Sequence, residues 1–183
     1  SSAATTGPNS RVNDSATMVQ DCLRAVAEGF DALKVKVGGR SWREDVQSTL
    51  AIHHAVGPKV ALRLDANQGW TPKQAVQVIQ ALEAAGVKLE FVEQPVKADD
   101  VAGLKFVTDH TLTPILADEA VFSVKDALHL LSTHRADIIN IKLMKCTGLR
   151  EAYQMIGLAR ALGMKVMLGC MTETSCAISA AAQ

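Results

Sequence analysis

Two lysines separated by one valine lie in a short apolar stretch near the start of the chain. In residues 32–37 (ALKVKV), Lys34 and Lys36 alternate with aliphatic side chains, which is the pattern of a β-strand. Both lysines then lie on one face, about 6–7 Å apart. On this stretch alone, a solvated strand face is the simpler interpretation. Two ammonium groups side by side repel each other, and a buried face makes that repulsion worse.

Three further strand-like stretches end in a carboxylate. Asp65, Glu93 and Asp118 each end one of them, and Lys142 ends the next. A single acid after a strand is usually an N-cap or a loop residue, but three in succession between lysines are hard to obtain by chance. Converging carboxylates repel each other and partly protonate unless a cation holds them. Their oxygen atoms suit Mg²⁺, with Mn²⁺ as a substitute.

The elements that carry these residues alternate between strand and helix. Helices are predicted over residues 14–29, 42–56, 71–86, 100–109, 124–132, 149–162 and 172–183. Strands are predicted over residues 32–37, 60–65, 89–93, 114–118, 137–142 and 165–170, with a weaker candidate over 3–6. Nearly continuous apolar strands separated by helices predict a parallel sheet covered on both faces.

The repeat favours an α/β fold of the (β/α)₈ (TIM-type) barrel class over a doubly wound sheet. No Gly-x-Gly-x-x-Gly follows the first strand, which disfavours dinucleotide binding. A complete barrel needs about 250 residues, so we expect the 183 residues to form one incomplete barrel domain, 1–183, of six to seven βα units without the last strand. Strand ends in a barrel meet at one rim, where active sites lie.

Composition limits the partners and the compartment. The chain has 19 basic and 19 acidic residues and is 48% hydrophobic, which is typical of a globular protein and offers no basic surface for nucleic acid. No apolar run is long enough for a membrane span, and the first residues do not resemble a signal peptide. The four cysteines lack metal-site spacing. We expect a cytoplasmic protein with a small-molecule substrate; the oligomeric state stays open, a homo-oligomer included.

Taken together, the strand-end motifs resemble the enolase superfamily, in particular its muconate-lactonizing-enzyme subgroup. They occur in the order of that family from about residue 14 onward. The matching motifs are Lys34-Val35-Lys36, Asp65-Ala66-Asn67, Glu93-Gln94-Pro95, Asp118-Glu119 and Ile141-Lys142-Leu143-Met144-Lys145.

The resemblance implies roles for six residues. The metal ligands would be the carboxylates of Asp65, Glu93 and Asp118, which would bind one Mg²⁺ per subunit. Lys36 and Lys142 would be the acid/base pair on opposite faces of the substrate. Lys34 would contact the substrate carboxylate and lower the pKa of Lys36. In such sites, Mg²⁺ stabilises the enediolate formed when a lysine removes a proton next to a carboxylate.

Residues 168–175 (LGCMTETS) are similar to the seventh-strand segment of dipeptide epimerases. This implies Mg²⁺-dependent epimerisation of dipeptides such as L-Ala-L-Glu or L-Ala-D-Glu by 1,1-proton transfer. Alternatives within the subgroup are muconate cycloisomerase, o-succinylbenzoate synthase and N-acylamino acid racemase. The eighth-strand Asp-x-Asp pair and the N-terminal capping domain of that family are expected to be absent from these 183 residues.

Other residues receive weaker assignments. Asn67, Glu119, Cys170 and Met171 are expected near the substrate or around the metal ligands. Gln94 could orient a ligand or serve a turn equally well. Lys145 could be a second cation at the rim but is more simply a solvated residue. Two other readings remain open: a Schiff-base lysine enzyme that needs no metal, and a barrel without catalytic activity.

Overall fold

The parallel sheet is the frame on which all the strand-end residues are mounted. The computed structural model describes residues 4–6 and 15–169. Within these residues the sheet contains seven strands, each hydrogen-bonded to its neighbours in chain order and all parallel. They are β1 (Ala4–Thr6), β2 (Ala32–Lys36), β3 (Ala61–Asp65), β4 (Leu89–Glu93), β5 (Ile115–Ala117), β6 (Ile138–Ile141) and β7 (Lys165–Leu168).

One helix lies between each pair of successive strands. These are α1 (Ser15–Ala27), α2 (Trp42–Val56), α3 (Pro72–Ala84), α4 (Val101–His110), α5 (Val124–Ser132) and α6 (Leu149–Ala161). The βα alternation and chain-order pairing make the sheet an incomplete (β/α)₈ barrel, which confirms the predicted fold class. In the described part of the chain, no helix has the length and apolar character to cross a bilayer.

Local sequence signals set where two of these helices begin. Ser41 and Glu44 form a reciprocal capping box at the start of α2. Thr71 and Gln74 do the same for α3, where Pro72 occupies the first turn. Each box satisfies backbone N–H groups that have no partner inside the helix. The loops that precede α2 and α3 therefore end at fixed points.

The two faces of the sheet bury different sets of apolar residues. The large core lies between the strands and the helices and includes Leu33, Val35, Leu64 and Ile139. On the opposite face, a small cluster of Phe91, Leu116 and Ile138, with Met167 against it, fills the interior. The interior-facing positions of β2 and β3 instead carry charge, and this pattern continues to the strand ends.

The register of the sheet aligns the carboxyl ends of neighbouring strands. Lys36 pairs with Asp65, and Asp65 pairs with Glu93. Glu93 then pairs with Leu116, so Asp118 lies just beyond β5. The three carboxylates therefore come from neighbouring strands at the same edge of the sheet.

Most differences from the predicted elements are at their boundaries. The weak candidate over residues 3–6 is a true strand, β1, and the other strands are up to two residues shorter than predicted. Strand ends are defined by ladder hydrogen bonds, whereas the apolar pattern continues into the following turn. The helix predicted over 172–183 lies outside the described residues.

Candidate functional site

The lysines of β2 both reach one carboxylate oxygen. The Nζ atoms of Lys34 and Lys36 each lie 3.0 Å from Oδ2 of Asp65. Lys34 Nζ also lies 2.5 Å from Oε2 of Glu93. Their side chains are only 19% and 30% exposed, so the solvated-face interpretation is wrong. The carboxylates supply the opposite charge that two neighbouring ammonium groups require.

Glu93 is the most deeply buried acid of this group, with no exposed surface. Its Oε1 accepts a hydrogen bond of 3.1 Å from Asn140 Nδ2, and its Oε2 faces Lys34. Burial raises the pKa of Glu93; Lys34 opposes that rise, and the charges of Asp65 and Asp118 add to it. Burial alone would lower the pKa of Lys34, but Glu93 and Asp65 outweigh burial and raise it. Lys34 is thus a firmly charged group between two acids.

Asp118 is held by a lysine on each oxygen. Lys142 Nζ lies 2.5 Å from Oδ2, while Lys145 contacts Oδ1 and donates to the backbone oxygen of Asp118 at 2.6 Å. Burial would raise the pKa of Asp118, but the two ammonium groups outweigh it and hold that pKa below its usual value. The carboxylate is therefore kept ionised.

The prediction that Lys145 is solvated is wrong. Its side chain is 9% exposed, and its ammonium group lies 5.1 Å from the ring centroid of Phe122. The backbone N–H of Lys145 donates to the carbonyl of Lys142 at 2.9 Å. This turn places both lysines on the same side, toward Asp118.

Asn67 lies at the centre of a small polar network, as its sequence position suggested. Its backbone N–H donates to Asp65 Oδ1 at 3.1 Å, and its side-chain Oδ1 accepts from Lys36. Its Nδ2 donates to Glu119 Oε1 at 3.1 Å. The other oxygen of Glu119 is buried without a hydrogen-bond partner among the described residues. The φ angle of Asn67 is +42°, a conformation that asparagine tolerates better than most residues.

Gln94 connects the ends of β4 and β5. It is fully buried, and its Oε1 accepts hydrogen bonds from the backbone N–H groups of Asp118 and Ala120 at 2.9 and 3.2 Å. Its Nε2 donates to the carbonyl of Val96 at 2.9 Å. Both ends of the amide are therefore satisfied, and the backbone at Asp118 is fixed relative to Glu93.

Asn140 is the residue of this site that the sequence interpretation missed. It is buried in β6 and its amide holds Glu93. The available signal was a polar residue inside an otherwise apolar strand, two positions before Lys142 and hence on the same face. Cys170 and Met171 lie outside the described residues, so their predicted place near the substrate stays a prediction.

The carboxylates of Asp65, Glu93 and Asp118 suit a hard cation, although in this structure they contact lysine ammonium groups. Among the described residues, no group of three His, Cys, Asp or Glu side chains is arranged around a common point to hold a metal ion. The oxygens of Asp65, Glu93 and Asp118 instead face ammonium groups, with Lys34 between the first two. Three buried carboxylates on adjacent strands still match the oxygen ligands and charge that Mg²⁺ prefers.

Comparison with known proteins finds a family and close relatives. The model of the enolase C-terminal domain-like family matches residues 17–183. The L-Ala-D/L-Glu epimerase of Bacillus subtilis is 48% identical over 171 residues, which cover 93% of this chain and 47% of that protein. The hydrophobic dipeptide epimerase of Enterococcus faecalis is 47% identical over 172 residues, 93% of this chain and 48% of that protein. The chain spans about half the length of these relatives.

Solved structures of the same two relatives share the fold. A substrate-liganded complex of the B. subtilis L-Ala-D/L-Glu epimerase superposes with a TM-score of 0.92 at 47% identity, covering 97% of this chain and 48% of that one. The E. faecalis dipeptide epimerase complexed with Mg and the dipeptide L-Leu-L-Tyr gives a TM-score of 0.90 at 46% identity, covering 97% and 49%.

The charge balance around Glu93 predicts that removing the Lys34 ammonium group destabilises the fold, and that the loss of stability depends on pH. We expect Lys34→Met to lower the free energy of unfolding by about 3–5 kcal/mol at about pH 8, because a buried carboxylate loses its partner. The loss should shrink toward about pH 5: the raised pKa of Glu93 lets it protonate, and a neutral carboxyl needs no counter-charge. Urea unfolding at both pH values measures this.

The matched control is Lys105→Met. Lys105 forms an exposed pair with Asp109 at 2.9 Å, which should contribute no more than about 0.5 kcal/mol. Equal losses for the two variants, or a Lys34→Met loss that does not change with pH, would contradict the charge balance described for Glu93.

Proposed function

This chain belongs to the enolase C-terminal domain-like family, and we propose that it epimerises dipeptides by proton transfer at an α-carbon. The observation that carries the proposal is the placement of Lys36 and Lys142 on either side of the three carboxylates. Lys36 ends β2 and Lys142 follows β6, with the acidic ends of β3, β4 and β5 between them. The names of the relatives support the reaction class.

The two lysines would act in turn on opposite faces of the substrate. One removes the α-proton of the C-terminal residue of the dipeptide, and the other delivers a proton to the opposite face, so that the configuration inverts. The lysine that acts as base must be neutral and the other must be protonated. Lys36 already contacts Asp65 and Asn67, and Lys142 contacts Asp118, so both ammonium groups are directed into the rim.

Asp65, Glu93 and Asp118 are the residues that would hold Mg²⁺, one ion per subunit, with Mn²⁺ as a substitute. A bound divalent cation would stabilise the negative charge that develops on the substrate carboxylate when the α-proton leaves. Lys34, which remains charged between Asp65 and Glu93, would contact the substrate carboxylate and discourage a second positive charge on Lys36.

The substrate class follows from the relatives rather than from the described side chains. The B. subtilis relative acts on L-Ala-D/L-Glu, and the E. faecalis relative is a hydrophobic dipeptide epimerase. We therefore propose a dipeptide substrate and name L-Ala-L-Glu as the first to test. A cytoplasmic location remains a prediction, and the oligomeric state stays open.

Deuterium exchange tests the lysine assignments. We expect the purified protein, with Mg²⁺ and L-Ala-L-Glu in D₂O, to form L-Ala-D-Glu and to place deuterium on the α-carbon of glutamate. Lys36→Ala should lower epimerisation by about 10³-fold or more, because acid/base catalysis is lost on one face. Lys142→Ala should abolish epimerisation while exchange persists on one of the two epimers. Proton NMR and chiral chromatography measure the two quantities.

The control for this experiment is Lys105→Ala, which changes an exposed lysine and should leave both rates within about twofold of wild type, since surface substitutions rarely matter. Full epimerisation by Lys36→Ala would refute its assignment. Absence of exchange with every dipeptide tried would defeat the epimerase proposal and favour another reaction of the subgroup.

Metal removal separates this proposal from a Schiff-base enzyme. EDTA treatment should abolish turnover, because the negative charge that develops on the substrate carboxylate then lacks stabilisation. Adding Mg²⁺ should restore turnover. A Schiff-base enzyme would instead keep its activity in EDTA, and borohydride reduction with a carbonyl substrate would label Lys142 or Lys36. That labelling, together with EDTA-resistant turnover, would overturn the metal assignment.

A further inference from the structure

A buried carboxylate on α2 joins two loops of the rim through a single oxygen atom. Asp45 is 4% exposed, and its Oδ2 accepts a hydrogen bond of 2.8 Å from the indole Nε1 of Trp70. The same oxygen accepts a hydrogen bond of 3.1 Å from the backbone N–H of Gly38. Asp45 lies in none of the strand-end motifs, so its role is separate from those considered above.

One donor lies in the loop that follows Lys36, and the other lies in the loop that contains Asn67. Gly38 follows Lys36 by two positions, and Trp70 follows Asn67 by three. Since Asn67 itself accepts a hydrogen bond from Lys36, the position of this second loop also determines where the Lys36 amine is held.

The two loops pack backbone against backbone. A Cβ atom added at Gly69 would lie 2.3 Å from the carbonyl oxygen of Gly38, and one added at Gly38 would lie 2.4 Å from the carbonyl oxygen of Ala66. Only glycine permits so close an approach. The contact leaves no side chains to interlock, and the shared Asp45 oxygen adds a polar link between the loops from the helix side. It acts beside the hydrogen bond from Lys36 to Asn67.

A carboxylate is an unfavourable choice at this place on stability grounds alone. Burial raises the pKa of Asp45 despite its hydrogen bonds to Trp70 and Gly38, because the buried carboxylate loses solvation of its charged form. Buried polar groups are retained where their hydrogen bonds specify one arrangement. The arrangement specified here is the relative placement of the β2–α2 and β3–α3 loops.

We propose that Asp45 is a positioning residue, which sets Lys36 and Asn67 for proton transfer by binding Gly38 and Trp70 with one oxygen. Its effect on turnover rests on the function proposed above. A displacement of about 1 Å at a reacting group costs about 10²-fold in rate. The hydrogen-bond geometry, rather than the charge, performs the role, because both donors meet the same oxygen.

Two substitutions of Asp45 separate geometry from charge. Asp45→Asn keeps one carbonyl oxygen that can accept both hydrogen bonds, so kcat for dipeptide epimerisation should stay within about threefold of wild type. Asp45→Leu keeps the approximate volume but removes the acceptor, and kcat should fall about 10²-fold with little change in KM. Trp70→Phe keeps a smaller aromatic ring but removes the Nε1 donor, and kcat should fall by about 10-fold.

The control for simple destabilisation is Thr49→Val. Thr49 is fully buried on the same helix, and its hydroxyl donates to the carbonyl of Asp45 at 2.8 Å. Within the described part of the chain, this hydroxyl makes no hydrogen bond to either loop. This variant should lose stability while kcat stays within about twofold of wild type. If Thr49→Val lowered kcat as much as Asp45→Leu at matched stability, Asp45 would be merely structural.

A second readout does not depend on activity. The chain has two tryptophans, so indole N–H signals in a ¹⁵N spectrum are readily assigned to Trp42 and Trp70. Asp45→Leu should shift the Trp70 signal and speed hydrogen exchange at the Asn67 backbone N–H, which donates to Asp65. Asp45→Asn should leave both close to wild type.

The outcomes keep the two proposals distinct. If the wild-type protein is inactive on all dipeptides, the proposed function is refuted. The Trp70 and Asn67 signals would still test whether Asp45 holds the two loops in place. If hydrogen exchange at the Asn67 N–H is unchanged in Asp45→Leu, the positioning role of Asp45 is overturned even if activity falls. The same holds if Asp45→Asn is as impaired as Asp45→Leu. If Asp45→Leu does not fold, Trp70→Phe removes one of the two donors instead, and faster exchange at the Asn67 backbone N–H is then the readout in a folded protein.

Discussion

The buried negative charge at the ends of three adjacent strands is the constraint on which this structure depends. Parallel strands in register bring like charges together, and burial of the three carboxylates makes their unpaired charges costly. Four ammonium groups, those of Lys34, Lys36, Lys142 and Lys145, neutralise Asp65, Glu93 and Asp118. The lysines lie on both flanks because the strands between them are occupied by the acids.

Amide side chains and tight loops hold this charged group in place. The side-chain amide of Asn67 binds the Glu119 carboxylate, that of Asn140 binds the Glu93 carboxylate, and that of Gln94 binds the backbone at Asp118. These amides carry no net charge, so they fix the acids without disturbing the balance between carboxylates and lysines. Behind them, Asp45 joins two loops from the helix side. The rim is therefore rigid where substrate would meet it, as preorganised sites require.

The sequence predicted what depends on local pattern and on recognisable motifs. Strand and helix alternation follow from hydrophobic periodicity, and the common rim follows because parallel strands present equivalent ends. The solvated interpretation of Lys145 failed because its partner, Asp118, is distant in sequence, and a turn that folds back on Lys142 leaves no periodic signal. Asn140 and Asp45 were missed for the same reason: their hydrogen bonds join elements 47 and 25 residues apart.

We propose that Asp65, Glu93 and Asp118 exchange their lysine partners for one divalent cation. A crystal structure of the protein grown with Mg²⁺, with Mn²⁺ substituted to locate the ion by anomalous scattering, tests it most directly. We expect one ion with an oxygen of each carboxylate about 2.0–2.1 Å away, and Lys34 withdrawn from at least one of its two carboxylates. An ion bound elsewhere, or carboxylates still paired with lysines at saturating metal, would contradict the proposed site.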